Sequence, residues 1–269
     1  MALIRAVITG ASGRMGQRLV ALMREDTELQ LIGAVTHATH AALGRDVGEV
    51  AGVGPLGVKL TSDLARSLSQ ADVVIDFSLP VAAIVYLQQV QAAGKAMVIG
   101  TTGFTAGQRQ EIEQLSKHVR CFLAANMSVG VQVMLQLLRQ ATTLLGPGYD
   151  VEIIEAHHRT KIDAPSGTAL RMGDIVAAAR GSRLDEAAMY GRQGIVGRRS
   201  DTEIGIQALR AGDIVGEHTV IFGGIGERLE LVHRTHNRDT FGRGALRAAR
   251  WIVTQPSGLY GMEELLLAG

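Results

Sequence analysis

Residues 4–16 read Ile-Arg-Ala-Val-Ile-Thr-Gly-Ala-Ser-Gly-Arg-Met-Gly. A β-rich run, Ile4–Thr9, passes at once into a glycine-rich turn and then into a helical pattern over Arg14–Arg24. The three glycines can divide the work of a dinucleotide-binding turn. Gly10 makes the tight turn, Gly13 lets the backbone approach a pyrophosphate, and Gly16 lets the helix sit close to the strand. The free N–H groups and positive end of that helix then face the phosphates. The first two glycines stand one residue further apart than in the commonest fingerprint. What carries the reading is therefore context: strand, turn and helix in that order, with more strand–helix units following.

Those units are legible in the next part of the chain. Strand candidates are Leu29–Val35, Val73–Phe77, Ala96–Ile99 and Arg120–Ala124, with helical patterns at Pro80–Ala93 and Ala106–His118. The runs Ala-Val-Ile and Val-Val-Ile-Asp-Phe do not alternate, as expected of strands covered on both faces. Strand–helix alternation of this kind predicts a Rossmann-type, doubly wound parallel sheet. After Asn126 the pattern changes. Gly130–Leu145 predicts a long helix ended by Gly146-Pro147-Gly148, then a strand at Val151–Ala156, a polar loop at His157–Pro165 and a helix over Gly167–Ala179. Thr202–Leu209, Glu217–Phe222 and Arg228–His233 follow as strands without intervening helices. A second α+β domain on a mixed or antiparallel sheet is expected. Domain bounds of 1–127 and 128–237 follow, with 238–269, led by a helix at Thr240–Val253, packing back on the first. A cleft between the two domains would hold the ligands.

Composition narrows the function classes. Of 269 residues, 46% are hydrophobic and 20% charged, which excludes extended disorder. Lys plus Arg number 27 against 26 for Asp plus Glu, so the net charge of +1 offers no field for nucleic acid or an anionic membrane surface. No apolar run reaches the ~18 residues of a membrane span. The segment Met1–Ile8 reads as the entry to the fold rather than a signal peptide. The single cysteine, Cys121, lies in an apolar strand and reads as core, so a cytoplasmic location is expected. The 33 glycines beside one Trp, four Tyr and five Phe suit a backbone that comes close to a ligand.

The usual acidic residue at the end of the second strand, which holds the ribose hydroxyls, is missing: Leu31–Val35 ends in Thr36-His37. No carboxylate is there to repel a 2′-phosphate, which admits NADPH, while a hydroxyl and an imidazole could equally hold NADH. Gly100-Thr-Thr-Gly-Phe104 and Ala124-Ala-Asn-Met-Ser128 each follow a strand, where such sheets bind ligands. Taken alone, each is more often a turn or a helix cap.

The densest polar stretch runs Glu152-Ile-Ile-Glu-Ala-His157-His158-Arg-Thr-Lys161-Ile-Asp-Ala-Pro-Ser166-Gly167-Thr168. Two histidines, an arginine and a lysine within residues 157–161 would be costly to bury as packing. They suit an anionic substrate that takes up protons. Ser166-Gly167-Thr168 ahead of an apolar run reads as a helix N-terminus, which attracts a carboxylate. The same stretch could be a solvated basic loop with a serine cap. A zinc site is disfavoured, because adjacent histidines on extended backbone face opposite ways and no third ligand has metal spacing. No metal is expected. His233 and His236, beside Arg234 and Arg238, read as surface residues before they read as site residues.

Taken together these motifs resemble the dihydrodipicolinate reductases, oxidoreductases of diaminopimelate and lysine biosynthesis. The resemblance rests on Gly10–Gly16, Val98–Phe104, Ala124–Gly130 and above all Glu152–Leu170. It extends through Arg210-Ala-Gly-Asp-Ile-Val-Gly-Glu-His218 and Gly226–Glu230 to Trp251. It implies reduction of 4-hydroxy-tetrahydrodipicolinate, a cyclic dicarboxylate, with NADPH or NADH. It implies that His157 and Lys161 donate protons, and that His158, Lys161, Ser166, Gly167 and Thr168 bind substrate. Cofactor contacts are implied at Gly10, Ala11, Ser12, Gly13, Arg14 and Met15, at Gly100, Thr101 and Thr102, and at Ala124, Ala125, Asn126 and Met127. Thr36 and His37 join them from the reading of the second strand. Many family members carry Glu-Arg where this chain has Thr36-His37-Ala38, so cofactor preference is not inherited. A homotetramer built through the second domain is also implied. Other two-domain amino-acid dehydrogenases lack the His-His-Arg-x-Lys segment, and a non-catalytic redox sensor would have no need of Lys161.

Overall fold

The computed structural model of the chain describes residues 3–268. The chain divides into two compact units, Met1–Val129 with Arg238–Gly269, and Gly130–Asn237. Residues 1, 2 and 269, which those bounds include, lie outside the described residues.

The first unit is built on one parallel sheet. Its strands are β1 (Ile4–Thr9), β2 (Leu29–Val35), β3 (Leu60–Thr61), β4 (Val73–Asp76), β5 (Ala96–Ile99) and β6 (Arg120–Leu123), joined by Gly258–Tyr260. Their spatial order is Gly258–Tyr260, β6, β5, β4, β1, β2, β3, every pairing parallel. The unalternating apolar runs have their cause in two cores. Ala6, Ile8, Val73, Ile75, Val98 and Phe122 enter one, and Val7, Val74, Met97, Ile99 and Cys121 enter the other. With helices on both faces the central strand positions Ala6–Thr9, Val73–Asp76 and Ala96–Ile99 are all buried, so period-2 polarity has no reason to exist there. Burial pushes the Cys121 thiol up to about 12, consistent with a core residue and no nucleophile.

Helix α1 (Arg14–Arg24) buries Gly16, Leu19, Val20, Leu22 and Met23. The helix Asp239–Ile252 packs against it, tied by Arg18 to Asp239 at 2.8 Å and by Arg250 to Asp26. The same helix lies so close to the chain following β6 that a Cβ added at Gly244 would stand 1.8 Å from the Met127 carbonyl oxygen. The strand Gly258–Tyr260 and the helix Met262–Leu267 complete this unit, and neither is signalled by periodicity. Both are too short, as are Val47–Val50 and Ala65–Leu68, and tertiary contact fixes them.

In the second unit β7 (Asp150–His157) is central to a five-stranded sheet ordered Arg228–Thr235, Gly216–Gly223, β7, Ile204–Arg210, Ala188–Tyr190. The first two pairings are antiparallel and the last two parallel, so the sheet is mixed. The helix Gly167–Ala179 lies in the connection from β7 to its parallel neighbour, as such a crossover requires. With Val129–Leu145 it covers one sheet face, burying Met134, Leu138, Val151, Ile153, Met172, Val176, Val220 and Phe222. Among the described residues no helix is long and apolar enough to cross a membrane.

Gly244→Ala should destabilise the first unit by about 1–3 kcal/mol, because the new Cβ overlaps backbone that cannot rotate away. Gly107→Ala, in the helix Ala106–Ser116 with nothing within 4 Å of its added Cβ, should be neutral or stabilising. Urea midpoints of the two variants check this, and equal midpoints would remove the claimed contact.

Candidate functional site

Each unit gathers polar side chains at strand ends. In the first, Gly10 leaves β1 with φ +71°, and a Cβ there would lie 2.1 Å from the Phe77 carbonyl oxygen, just past β4. A Cβ at Gly16 would lie 2.2 Å from the Gly10 oxygen, so helix and turn are in backbone contact. The Ala11 N–H donates to the Val35 carbonyl at 3.0 Å, and the Ser12 and Thr36 hydroxyls are 2.6 Å apart. The turn is thereby fastened to the ends of β2 and β4. At Gly13 only the Gly10 oxygen, 3.2 Å away, would meet an added Cβ. Packing within the chain crowds a side chain there far less than at Gly10 or Gly16, whereas a ligand's approach would exclude one.

Gly13 is also the N-cap of α1 and gives it no side-chain cap bond. The first-turn N–H groups of the helix therefore suit an anion, and the left-handed Gly10 turn holds them at the sheet's carboxyl edge. These features fit a dinucleotide pyrophosphate. Arg14 is exposed, and Met15 half-buried, on that first turn. Thr36 is buried. His37 is exposed, with Nδ1 3.1 Å from the Thr39 hydroxyl and its ring edge-on to His40 at 5.0 Å.

The remaining loops of this edge meet around Asp76. It is fully buried and accepts from the hydroxyls of Thr9 at 2.5 Å, Ser78 at 2.6 Å and Thr101 at 2.6 Å. Thr101 in turn accepts from the Ser78 N–H at 2.9 Å. Burial raises the Asp76 pKa against the pull of the three hydroxyls. Gly100 is pressed on the Phe77 ring, which a Cβ there would meet at 2.3 Å, and Thr102 is exposed. Ala124 is half-buried and donates to Ile99, Ala125 is exposed, and the Asn126 side chain accepts from the Ser128 N–H at 2.9 Å. Ala11 and Met127 have their side chains in the core, so any part they take in binding falls to their backbone.

In the second unit β7 alternates Val151, Ile153 and Glu155 onto its core face. Facing Glu155 across the antiparallel register is His218, also buried. The core face is thus apolar at one end and polar at the other. Glu155 accepts four donors. Oε1 takes the Ser166 N–H at 3.0 Å and Arg210 at 2.8 Å, and Oε2 takes His157 Nδ1 at 2.6 Å and Arg210 at 2.9 Å. Burial alone would raise this carboxyl; Arg210, His157 and the Ser166 N–H outweigh it and hold it below the usual carboxylate range. Burial lowers the His157 pKa, with the Glu155 bond working against that shift. His218 is held down to about 4 by burial. Its Nε2 is 3.1 Å from the Ser166 hydroxyl, and its ring meets His157 edge-on at 5.3 Å.

Ser166 caps the helix Gly167–Ala179 by accepting from Ala169, and nothing within 4 Å would meet a Cβ at Gly167. Thr168 is half-buried on the first turn of the same helix. His158 is half-buried, with Nδ1 2.8 Å from the Thr160 hydroxyl. Lys161 Nζ holds both Asp163 oxygens at 2.8 Å. The structure thus brings His157, His158, Lys161, Ser166, Gly167 and Thr168 onto one strand end, loop and helix start. Among the described residues no group of His, Cys, Asp and Glu could hold a metal.

Sequence reading gave no role to Asp76, Glu155, Arg210 or His218. Two carried a signal: Asp76 interrupts a wholly apolar strand, and Glu155 continues the buried set Val151, Ile153. Their partners come from other strands, which local pattern does not reach.

Comparison with known proteins accords with this geometry. Residues 4–127 match the family model for the dihydrodipicolinate reductase N-terminus, and residues 130–266 that for its C-terminus. The 4-hydroxy-tetrahydrodipicolinate reductase of Syntrophobacter fumaroxidans is 50% identical over 98% of this chain and 99% of its own. That of Syntrophus aciditrophicus is 51% identical over 98% of each. The dipicolinate-bound dihydrodipicolinate reductase from Paenisporosarcina sp. TG-14 superposes with a TM-score of 0.77 at 27% identity, covering 98% of this chain and 99% of that one. With both halves of the family model matched in order and half the residues shared end to end, the chain belongs to the dihydrodipicolinate reductase family, oxidoreductases with a nicotinamide-nucleotide-binding fold.

Proposed function

We propose that this chain reduces 4-hydroxy-tetrahydrodipicolinate to tetrahydrodipicolinate, using either NADPH or NADH, in diaminopimelate and lysine biosynthesis. The ring loses its hydroxyl as water and gains one hydride and one proton. A reduced nicotinamide, when bound, supplies the hydride. The observation that carries the reading is the His157–Thr168 cluster, where a proton-handling imidazole, a lysine and a helix N-terminus lie on one short segment.

The division of labour follows from chemistry. The N-terminus of Gly167–Ala179 and His158 suit one carboxylate of the substrate, and Lys161 the other or the ring. Lys161 is paired with Asp163, but the Asp163 side chain is 59% exposed, so an arriving anion can displace it at little cost. His157 lies below its ordinary pKa in the free protein. A bound dianion beside it favours the imidazolium, so substrate binding itself readies the proton. On the nucleotide side, Gly10–Met15 hold the pyrophosphate through backbone N–H groups. Thr36 and His37 meet the ribose, and the Gly100–Thr102 and Ala124–Met127 loops face the nicotinamide half.

Lys161→Ala should lower kcat on the order of 10²-fold or more, because a charge-assisted contact and a proton donor are both removed. Its cofactor Kd should stay within about threefold of wild type. Stopped-flow turnover beside fluorescence titration separates the two, and near-normal turnover would overturn the assignment of this loop. Gly13→Val, by contrast, should abolish nucleotide binding while leaving residues 130–237 folded, since the branched side chain fills the space the pyrophosphate needs. Calorimetric affinity within about threefold of wild type would refute the role of the turn.

Neither cofactor should be favoured by more than about 30-fold in kcat/KM, roughly 2 kcal/mol. Thr36-His37-Ala38 carries no carboxylate to reject a 2′-phosphate and no arginine to demand one. The exposed Arg14 and His37 can add only partly screened contacts. Arg14→Ala should lower NADPH efficiency several-fold and barely change NADH. A thousandfold wild-type preference either way would show that other residues meet the ribose.

A further inference from the structure

Glu155 lies at the centre of the second unit's polar cluster. Both of its oxygens are filled, each by one Arg210 nitrogen and one further donor: the Ser166 N–H on Oε1 and His157 Nδ1 on Oε2. Four donors on one carboxylate, two from a guanidinium fork, leave it ionised and fix its rotamer. An ionised carboxylate only accepts, so His157 must carry a proton on Nδ1. The lone pair of the neutral ring is then on Nε2, and that nitrogen is where a second proton is taken up and given away.

The surroundings of the ring point the same way. His218 abuts its edge at 5.3 Å. A Cβ at Gly216 would come within 3.2 Å of Nε2, so any side chain at 216 would crowd that atom. Arg210 also donates to the Asp163 and Leu209 carbonyls, which anchors the fork to the loop that carries Lys161. The other charges facing the ring are Lys161 and Arg210, and both oppose its protonation.

We infer that Glu155, held by Arg210, is the positioning residue for His157: it sets the Nδ1–H tautomer, leaves Nε2 as the proton-exchanging nitrogen and stabilises the imidazolium. This rests on the reading of His157 as the proton-handling group. A carboxylate behind an imidazole does this by charge and geometry together, without itself exchanging protons.

Glu155→Gln in the full chain is the test, because it keeps shape and removes charge. We expect kcat to fall about 10²-fold, with KM for the dicarboxylate within about threefold. Losing the carboxylate lowers the His157 pKa further. Activity that needs the imidazolium therefore fades at lower pH, and the alkaline limb of the kcat profile moves to lower pH. Nitrogen NMR of His157 should report Nδ1–H in the wild type and a loss of that preference in the variant. Arg210→Lys, which keeps the positive charge without the fork, should fall between the two. An unchanged pH profile and tautomer in Glu155→Gln overturns the inference. So does an Nε2–H tautomer in the wild-type protein, which requires no variant to fold. His157→Asn separates the two levels. Full turnover in that variant overturns the role of His157 itself, whereas lost turnover beside a normal Glu155→Gln overturns only the role of Glu155.

Discussion

A carboxylate removed from water must be surrounded by donors, and Glu155 imposes that requirement on the second unit. Its oxygens take Arg210 from the neighbouring parallel strand, His157 from the end of its own strand, and the N–H of the helix-capping residue Ser166. Each donor thereby loses its freedom. The arginine fastens the loop, the histidine acquires a tautomer, and the helix is drawn up so that its N-terminus opens beside them. Burying one acidic residue places an imidazole and a helix N-terminus a few residues apart.

The first unit meets the same physical problem with different chemistry. Asp76 is as buried as Glu155, but its donors are three hydroxyls. Oxygen–oxygen separations of 2.5 to 2.6 Å are those of charge-assisted bonds. They join the end of β1, the chain leaving β4 and the loop after β5. Close backbone contact does the rest, since Gly10 and Gly16 leave no room for a Cβ. At the carboxyl edge of this sheet Gly10 and Gly16 are thus fixed by packing, whereas Gly13 meets only the Gly10 oxygen.

The two buried acids also differ in what they leave available. The hydroxyls around Asp76 spend their protons on it, so the loop keeps acceptors and backbone groups for a ligand. Around Glu155 the donors are cationic or ionisable, and the cluster can hold and move a proton. His218 belongs to the packing of that cluster rather than to its charge, because burial holds it down to about 4 and keeps it neutral at ordinary pH.

The sequence by itself determined the strand–helix alternation, the glycine turn and the His157–Thr168 segment. These signals are local: an apolar run covered on both faces, a left-handed glycine, a serine cap, a charge density unsuited to packing. It also determined what is missing at Thr36-His37-Ala38, because an absent carboxylate is visible in one dimension. The tertiary structure decided which groups answer Glu155 and Asp76, and how Gly258–Tyr260 extends the sheet beside β6. Arg210 lies far along the chain from Glu155, and Thr101 from Asp76. Their meeting is set by strand order and register, which depend on the burial of whole sheet faces and not on any neighbour in sequence.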